Sequence, residues 1–181
     1  MPISEAQFRK LALEATDEQW ELNCGMPRRK PGMSALHNRT MTRVSGRLLD
    51  QVDPAQFDVR CNSGHVRQSA QRYYIPDVVV LPIALVLPQL DQHTLEVYED
   101  PLPLVVEVWS PSTGDYDVES KLVEYQRRGD REIWRIHPFE RTLIAWRRQP
   151  DGSYTETTFT GGQVQPIALP GVSLDLDTLF A

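Results

Sequence analysis

The chain of 181 residues is 40% hydrophobic and 24% charged, which is typical of a soluble globular protein with a sizeable core. Its formal net charge of −6 argues against wholesale non-specific binding of nucleic acid, but it allows a local basic patch or an acidic site that a cation neutralises. No apolar run approaches about 18 residues, and acidic residues recur through the N-terminal stretch. We therefore predict neither a membrane span nor a secretory signal.

The organisation that we predict is one cytoplasmic domain. It covers residues 1–181, with an N-terminal helix in 1–19 and the core in 20–181. The two cysteines, Cys24 and Cys61, lack the spacing of metal ligands. We expect buried free thiols, with a disulfide between them as the alternative.

The N-terminal part of the chain predicts a helix, a strand and a second helix. Ser4 followed by Gln7 is a capping box at the start of the first helix. The segment "WELNCGM" (20–26) predicts a short strand, and "PRRKPGM" (27–33) predicts a break. In "SALHNRTMTRVSGRLLDQV" (34–52), apolar positions recur at intervals of four, three and four residues, as on one face of a helix. That stripe consists of His37, Met41, Val44 and Leu48.

The middle of the chain predicts three strands. "QFDVRCN" (56–62) alternates as a strand does, and "RYYIPDVVVLP" (72–82) reads as one strand with an internal proline, Pro76. Such a proline requires an edge, a strand start or a bulge. After a predicted loop with weak strand character (82–103), the apolar run 104–109 predicts a buried strand.

The C-terminal part predicts a helix and then antiparallel strands. "YDVESKLVEYQRRG" (116–129) predicts a helix that Gly129 ends, with an inner face of Val118, Leu122 and Tyr125. "EIWRIHP" and "TLIAWRR" predict a hairpin, "GSYTETTFT" a third strand and "LPGVSLDLDTLF" a short closing segment. The fold class is therefore α/β or α+β, a mixed sheet with helices on its faces.

A carboxylate, Glu107, interrupts the buried strand 104–109. Alternation could turn it to solvent, but apolar residues occupy both parities of this strand, as in a strand covered on both faces. A carboxylate taken out of water needs a partner or a metal. We therefore interpret Glu107 as part of a site.

Three charged residues form the candidate site. Asp77 lies at one strand, Glu107 in the next strong strand and Lys121 on the following helix. Two carboxylates on adjacent strands can share Mg²⁺ (or Mn²⁺), and an ammonium can orient a water or stabilise charge at phosphorus. Such a group suits metal-assisted phosphodiester hydrolysis. Spacing alone leaves the alternative open, namely structural acids and a solvated lysine.

Several motifs together resemble one known family. "YYIPDVVVLP", "PLVVEVWSPST", "KLVEYQRRG", "EIWRIHP" and "LPGVSLDLDTLF" are similar, in this order, to the Uma-two family (Uma2, also catalogued as DUF820). That family is a branch of the restriction-endonuclease-like PD-(D/E)xK superfamily. The resemblance runs from about Trp20 to the C-terminus.

The resemblance implies a restriction-endonuclease-like core with a C-terminal antiparallel hairpin extension. It implies an Mg²⁺-dependent endonuclease acting on DNA, in which Asp77 and Glu107 hold the metal, with the carbonyl of Val108 as a further ligand. The superfamily's lysine would stand at Trp109, so its role passes to Lys121 on the next helix. The resemblance extends to a homodimer, since many such nucleases cut two strands as dimers.

Three accessory candidates and one rival function remain. Glu21 is either a supplementary acid near the metal or a strand-surface charge, and His37 is either an accessory group or a packed or capping histidine. Tyr125 is expected in the core with its hydroxyl hydrogen-bonded. The basic run from Arg28 to Lys30 could contact phosphates, although solvated surface is commoner. The rival function is a non-catalytic domain that binds protein or nucleic acid.

Overall fold

The computed structural model of the chain describes residues 1–112 and 114–181, and it describes their side chains except in residues 114–118. In this part of the chain, no helix is long and apolar enough to cross a membrane. The helices are α1 (Glu5–Glu14), α2 (Ala35–Leu49), α3 (Ile83–Val86), α4 (Gly114–Arg128) and α5 (Leu176–Leu179), with a 3₁₀ turn at Leu87–Gln89.

The strands fall into two main sheets and a hairpin. They are β1 (Trp20–Asn23), β2 (Met26–Arg29), β3 (Phe57–Cys61), β4 (His65–Ser69), β5 (Arg72–Tyr74), β6 (Val78–Pro82), β7 (Val97–Tyr98), β8 (Leu104–Val108), β9 (Glu132–His137), β10 (Thr142–Arg148), β11 (Tyr154–Phe159), β12 (Gln163–Val164) and β13 (Leu174–Asp175). Together with the helices they form the predicted mixed α+β architecture, and β12 with β13 is a C-terminal antiparallel hairpin.

The larger sheet has six strands in the order β11-β10-β9-β8-β6-β3. Its pairings are antiparallel except for β8 with β9, which run parallel and are joined by α4. Such a crossover needs about a dozen residues, and the helix supplies them. The smaller sheet has the order β2-β1-β5-β4-β7.

The six-stranded sheet is covered on both faces, which explains why β8 is apolar in both parities. Val106 and Val108 pack with α2 and the C-terminal segment in one core cluster. Val105 packs on the other face, in a cluster that contains Tyr125 of α4, with Leu122 packed against it. The third predicted inner-face residue of α4, Val118, lies outside the described side chains.

The two predicted N-terminal helices are confirmed. The hydroxyl of Ser4 accepts from the backbone N–H of Gln7, and the Gln7 side chain accepts from the backbone N–H of Ser4, so the capping box at α1 is complete. On α2 the whole predicted stripe is buried. The stripe therefore fixes which face of α2 meets the sheet, and it turns His37 inward.

The prediction of one strand over residues 72–82 is wrong. The segment divides into β5 of the smaller sheet and β6 of the larger sheet, with residues 75–77 between them. Pro76 has no N–H to give a ladder, so the chain leaves one sheet and enters the other at this proline. Asp77 consequently lies at the junction of the two sheets.

The predicted break at "PRRKPGM" is only partly confirmed, because residues 30–33 lie in no helix or strand but residues 27–29 belong to β2. Cys24 and Gly25 take positive φ angles of 50° and 75° and turn the chain back, so β2 pairs with β1. Pro27 is tolerated because β2 is an edge strand. This hairpin delivers Lys30 to the interior.

Two further expectations need correction. The predicted loop 82–103 contains α3, the 3₁₀ turn and β7, and β4 was not predicted at all. Both thiols are free, as predicted, but Cys24 and Cys61 are exposed rather than buried. Short elements of two to five residues carry too little periodicity to be recognised in a sequence.

Candidate active site

Asp77 immediately precedes β6, and Glu107 lies on the neighbouring strand β8. In the antiparallel ladder of β6 and β8, Val78 pairs with Val106. Asp77 comes just before Val78, and Glu107 comes just after Val106. The backbone N–H of Val108, the residue after Glu107, donates to Oδ2 of Asp77 at 2.8 Å, so the two acids are neighbours. Asp77 is 2% exposed and Glu107 is 7% exposed. The structure therefore brings the two predicted acids together inside the protein.

Glu107 is surrounded by donors from α4. The hydroxyl of Tyr125 donates to its Oε1 at 2.5 Å, and the Nζ atom of Lys121 lies 3.5 Å from the same oxygen. Tyr125 is fully buried, as expected, and its hydroxyl is bonded. The carboxylate in the apolar strand is thus a buried group with a positive partner and a neutral donor.

Lys121 reaches the site from α4 with only 6% of its surface exposed. Its Nζ atom donates to Oε1 of Glu21 at 2.8 Å and lies 5.9 Å from the centre of the Tyr74 ring. Burial acts to lower the pKa of Lys121, but the charges of Glu107 and Glu21 outweigh it and raise that pKa. Lys121 therefore stays protonated at neutral pH.

Glu21 belongs to the same buried cluster and is not a strand-surface charge. It lies on β1, and its Oε1 accepts both the Lys121 ammonium and the backbone N–H of Ile75, each at 2.8 Å. The bond to Ile75 joins β1 to the junction that carries Asp77. A role of Glu21 at a metal stays a prediction.

Both oxygens of Asp77 are bonded to groups that stabilise its charge. Oδ1 lies 3.0 Å from Nζ of Lys30, and Oδ2 lies 2.9 Å from Nε2 of His37. Oδ2 also accepts the backbone N–H of Val108 at 2.8 Å. Burial acts to raise the pKa of Asp77, but the Lys30 charge and the His37 bond outweigh it, and the net shift is downward.

His37 therefore touches a candidate catalytic carboxylate in addition to packing in the core. An ionised carboxylate can only accept, so Nε2 of His37 carries the proton in this bond. Val108 also lies beside Asp77, through its N–H. Its carbonyl as a metal ligand stays a prediction.

Lys30 is the residue that sequence reasoning missed. The sequence places it at the end of a basic run that reads as solvated surface, yet its side chain is only 5% exposed and bonds to Asp77. One sequence signal was available, since the chain has only three lysines (Lys10, Lys30 and Lys121) against sixteen arginines. Two of those three lysines lie in this cluster.

The two carboxylates differ in their protonation. Burial is the main cause that raises the pKa of Glu107 to about 7, and the negative charge of Asp77 adds to it while Lys121 opposes it. Asp77 is shifted the other way. In this pair of acids, Asp77 is therefore kept ionised, and Glu107 is held close to its uncharged form.

This donor set fits a hard divalent cation. Two neighbouring carboxylates are what Mg²⁺ usually takes from a protein, with water and phosphate completing its shell. A cation between them would also relieve the repulsion by which Asp77 raises the pKa of Glu107. Among residues 1–112 and 114–181, no three His, Cys, Asp or Glu side chains converge to hold a metal by themselves.

The raised pKa of Glu107 predicts how stability depends on pH. A carboxyl group whose pKa rises from 4.5 to about 7 on folding contributes stability that is complete below pH 4.5 and is lost as the pH rises through 7. That loss amounts to about 3 kcal/mol. Urea unfolding in EDTA should therefore show Glu107→Gln gaining stability over the wild type between pH 5 and pH 8.

The matched control for this experiment is Glu14→Gln, which makes the same change at an exposed glutamate of α1 whose weak ion pair is with Lys10. The amide oxygen introduced by Glu107→Gln can still accept the Tyr125 hydroxyl, so packing is kept. A Glu107→Gln protein whose difference from the wild type is the same at both pH values would show that Glu107 titrates normally.

An aromatic cluster lies beside Glu107 at the end of β8. Trp109 follows Glu107 by two residues, on the same side of the strand, and stacks on His137 with ring centres 4.3 Å apart. Phe139 packs edge-on against Trp109 and is 55% exposed. A neighbouring cavity of about 230 Å³ is lined by Trp109, Arg135, His137, Glu140, Thr142 and Ile144.

The fold as a whole matches that of a solved protein. A crystal structure described as "a putative nuclease belonging to DUF820", from Anabaena variabilis, superposes with a TM-score of 0.80 at 18% sequence identity. The match covers 99% of this chain and 98% of that one, so the two proteins share one fold. No curated protein sequence matches this chain.

The family follows from the sequence model. The model of Uma2, described as "Putative restriction endonuclease", matches residues 5–177. This is nearly the whole chain, and the protein belongs to the Uma2 family. The resemblance drawn from the sequence motifs is therefore confirmed.

Proposed function

We propose that this protein is an Mg²⁺- or Mn²⁺-dependent endonuclease that hydrolyses phosphodiester bonds in DNA. The observation that carries the proposal is the buried pair of neighbouring carboxylates, Asp77 and Glu107, with the Lys121 ammonium 3.5 Å from Glu107. Membership of the Uma2 family and the fold shared with the Anabaena protein support the reaction class.

The metal would be held by the side chains of Asp77 and Glu107, with the Val108 carbonyl as a further ligand. When bound there, a divalent ion would polarise the phosphate and lower the pKa of a coordinated water. Lys30 and His37 hold Asp77 in its ionised form. The ionised form is the one that a cation requires.

Lys121 acts as a fixed positive charge rather than as a base. Its raised pKa keeps the ammonium protonated, so it cannot accept a proton from water at neutral pH. Three N–H donors remain available for Glu21, for Glu107 and for a water or a phosphate oxygen. The group would therefore orient the attacking water and stabilise the charge that develops at phosphorus.

Tyr125 and Glu21 are positioning residues in this proposal. Burial and the nearby charge of Glu107 raise the pKa of Tyr125, so the hydroxyl stays protonated and holds one oxygen of Glu107 in place. Glu21 fixes the Lys121 ammonium at 2.8 Å. Together they determine where the carboxylate and the ammonium point.

DNA as the substrate is supported by the surface beside Glu107. Trp109 and His137 offer stacked rings and Phe139 an exposed one, and aromatic rings are platforms for bases. Arg135 pairs with Glu107 in the ladder of β8 and β9 and lines the same cavity, where it adds positive charge. In a protein of net charge −6, binding would have to rely on such a local surface.

The remaining parts of the proposal concern organisation. We propose a single domain over residues 1–181 that acts in the cytoplasm. We also propose a homodimer, in which the two copies would supply one active site for each strand of a duplex.

Supercoiled plasmid DNA provides the test of function. We expect nicked and linear products with Mg²⁺ or Mn²⁺ and none with EDTA, and we expect Glu107→Ala to be inactive under all conditions. A structured RNA in a parallel reaction reports whether DNA is preferred. If the purified protein binds DNA but leaves it intact with either metal, the non-catalytic binding domain is the better description.

A further inference from the structure

The side chain of Lys30 occupies an unusual position for a lysine. Its Nζ atom lies 3.0 Å from Oδ1 of Asp77, 2.6 Å from Oδ1 of Asn62 and 3.0 Å from the carbonyl oxygen of Ile75. All three ammonium protons therefore have an acceptor, and the head group is enclosed. Three oxygen atoms thus surround the Lys30 ammonium in the way that oxygen ligands surround a bound cation.

Asp77 has no oxygen without a strong donor in this arrangement. One oxygen carries Lys30, and the other carries His37 and the N–H of Val108. A divalent ion at Asp77 would need one of these oxygens. The bonds to Val108 and His37 come from β8 and from a packed helix, whereas Lys30 lies at the end of the edge strand β2 on a flexible four-carbon stem.

We propose that Lys30 is a built-in placeholder for the metal, which must leave Oδ1 of Asp77 when a divalent ion binds. This inference rests on the proposed metal site and adds the step by which that site is filled. Without metal, the ammonium neutralises Asp77 and keeps the buried carboxylate ionised. With metal, two cations would compete for one oxygen, and the more highly charged ion displaces the tethered one.

The proposal distinguishes the two buried lysines. Lys121 lies 3.5 Å from Glu107 and bonds directly to Glu21, so it can remain in place beside a metal. Lys30 bonds directly to Asp77, a proposed metal ligand, and its other two acceptors are neutral. Removing Lys30 should therefore tighten metal binding more than removing Lys121, although each change removes one positive charge.

The experiment measures Mn²⁺ affinity by the loss of the free-ion electron paramagnetic resonance signal, without DNA and at pH 8. We expect Lys30→Met to bind Mn²⁺ at least about tenfold more tightly than the wild type, while Lys121→Met gains clearly less. An affinity of Lys30→Met equal to or below that of Lys121→Met would overturn the placeholder role.

A second variant keeps the test decisive if Lys30→Met does not fold. Asn62 has a φ of 50°, a conformation that glycine adopts without strain, so Asn62→Gly removes the 2.6 Å anchor of Lys30 and spares Asp77. We expect a gain in Mn²⁺ affinity of about threefold from this variant. An unchanged or weakened affinity would contradict the placeholder.

The outcomes also separate this inference from the proposed function. If the wild type binds Mn²⁺ and cleaves DNA but neither variant gains affinity, the placeholder is wrong and the nuclease stands. If none of the proteins binds Mn²⁺, the metal site itself is wrong, and the placeholder falls with it.

Discussion

Lys121→Met should reduce the rate of plasmid cleavage by about 10³-fold while the protein still folds and binds Mn²⁺. The loss follows from removing a positive charge that points at the position where charge develops, an effect of that size for a single preorganised donor. Methionine keeps much of the apolar stem, and Glu21 retains its bond to the backbone N–H of Ile75. Initial rates at saturating Mg²⁺ measure the effect, with circular dichroism to verify the fold.

Lys10→Met is the matched control for this substitution. Lys10 lies on α1 with 74% of its side chain exposed, and its weak pair with Glu14 is 3.9 Å long. We expect the Lys10→Met protein to cleave plasmid DNA at the wild-type rate. Full activity in Lys121→Met would instead leave Glu107 without the partner assigned to it, and Lys30 would become the candidate for the catalytic ammonium.

Asp77→Asn should lose metal affinity and also lower the free energy of unfolding by about 3 kcal/mol at pH 7. The second effect arises because Lys30 and His37 would face a neutral amide instead of the carboxylate that they stabilise. The pKa of Asp77 is lowered in the folded protein, so its contribution is present above its ordinary value of 3.8 and is lost as the pH falls. Calorimetric titration with Mn²⁺ and urea unfolding measure the two effects.

The sign of the stability change separates the two carboxylates. Glu107→Gln should be stabilising at high pH and Asp77→Asn destabilising, although both replace an acid by its amide. Both should weaken Mn²⁺ binding, because the ion is shared. Equal Mn²⁺ affinity in Asp77→Asn and the wild type would refute the shared site.

The part of the site that lies on regular elements could be predicted from the sequence. Glu107 stands out because β8 is apolar on both faces, and His37 lies on a stripe whose spacing is helical. Lys121 falls at the margin of the inner face of its helix, and it is buried there beside Glu21 and Glu107. The long-range pairing of β6 with β8 then positions Asp77 beside Glu107.

The part that the sequence did not reveal depends on contacts between distant segments. Lys30 is 47 residues from Asp77, and its position depends on a turn at Cys24 and Gly25 followed by a two-proline segment that reads as a break. Glu21 and Lys121 are 100 residues apart. No local periodicity reports such contacts, because they arise only when the two sheets meet at residues 75–77.

The two buried lysines place a positive charge beside each of the two proposed metal ligands. Lys30 is bonded to Asp77 and Lys121 is paired with Glu107, so each proposed metal ligand has its own ammonium. Buried charges persist only when they are paired. Glu21 is a third carboxylate beside Lys121, and the metal-free cluster approaches neutrality because the raised pKa of Glu107 favours its protonated form.

A crystal structure with bound Mn²⁺ tests the central claim most directly. We expect one anomalous peak about 2.1 Å from an oxygen of both Asp77 and Glu107, with the Lys121 ammonium still beside Glu107 and the Lys30 ammonium withdrawn from Asp77. Crystals soaked with Mn²⁺ that show no peak between these carboxylates, with Lys30 and His37 still bonded to Asp77, would contradict the account.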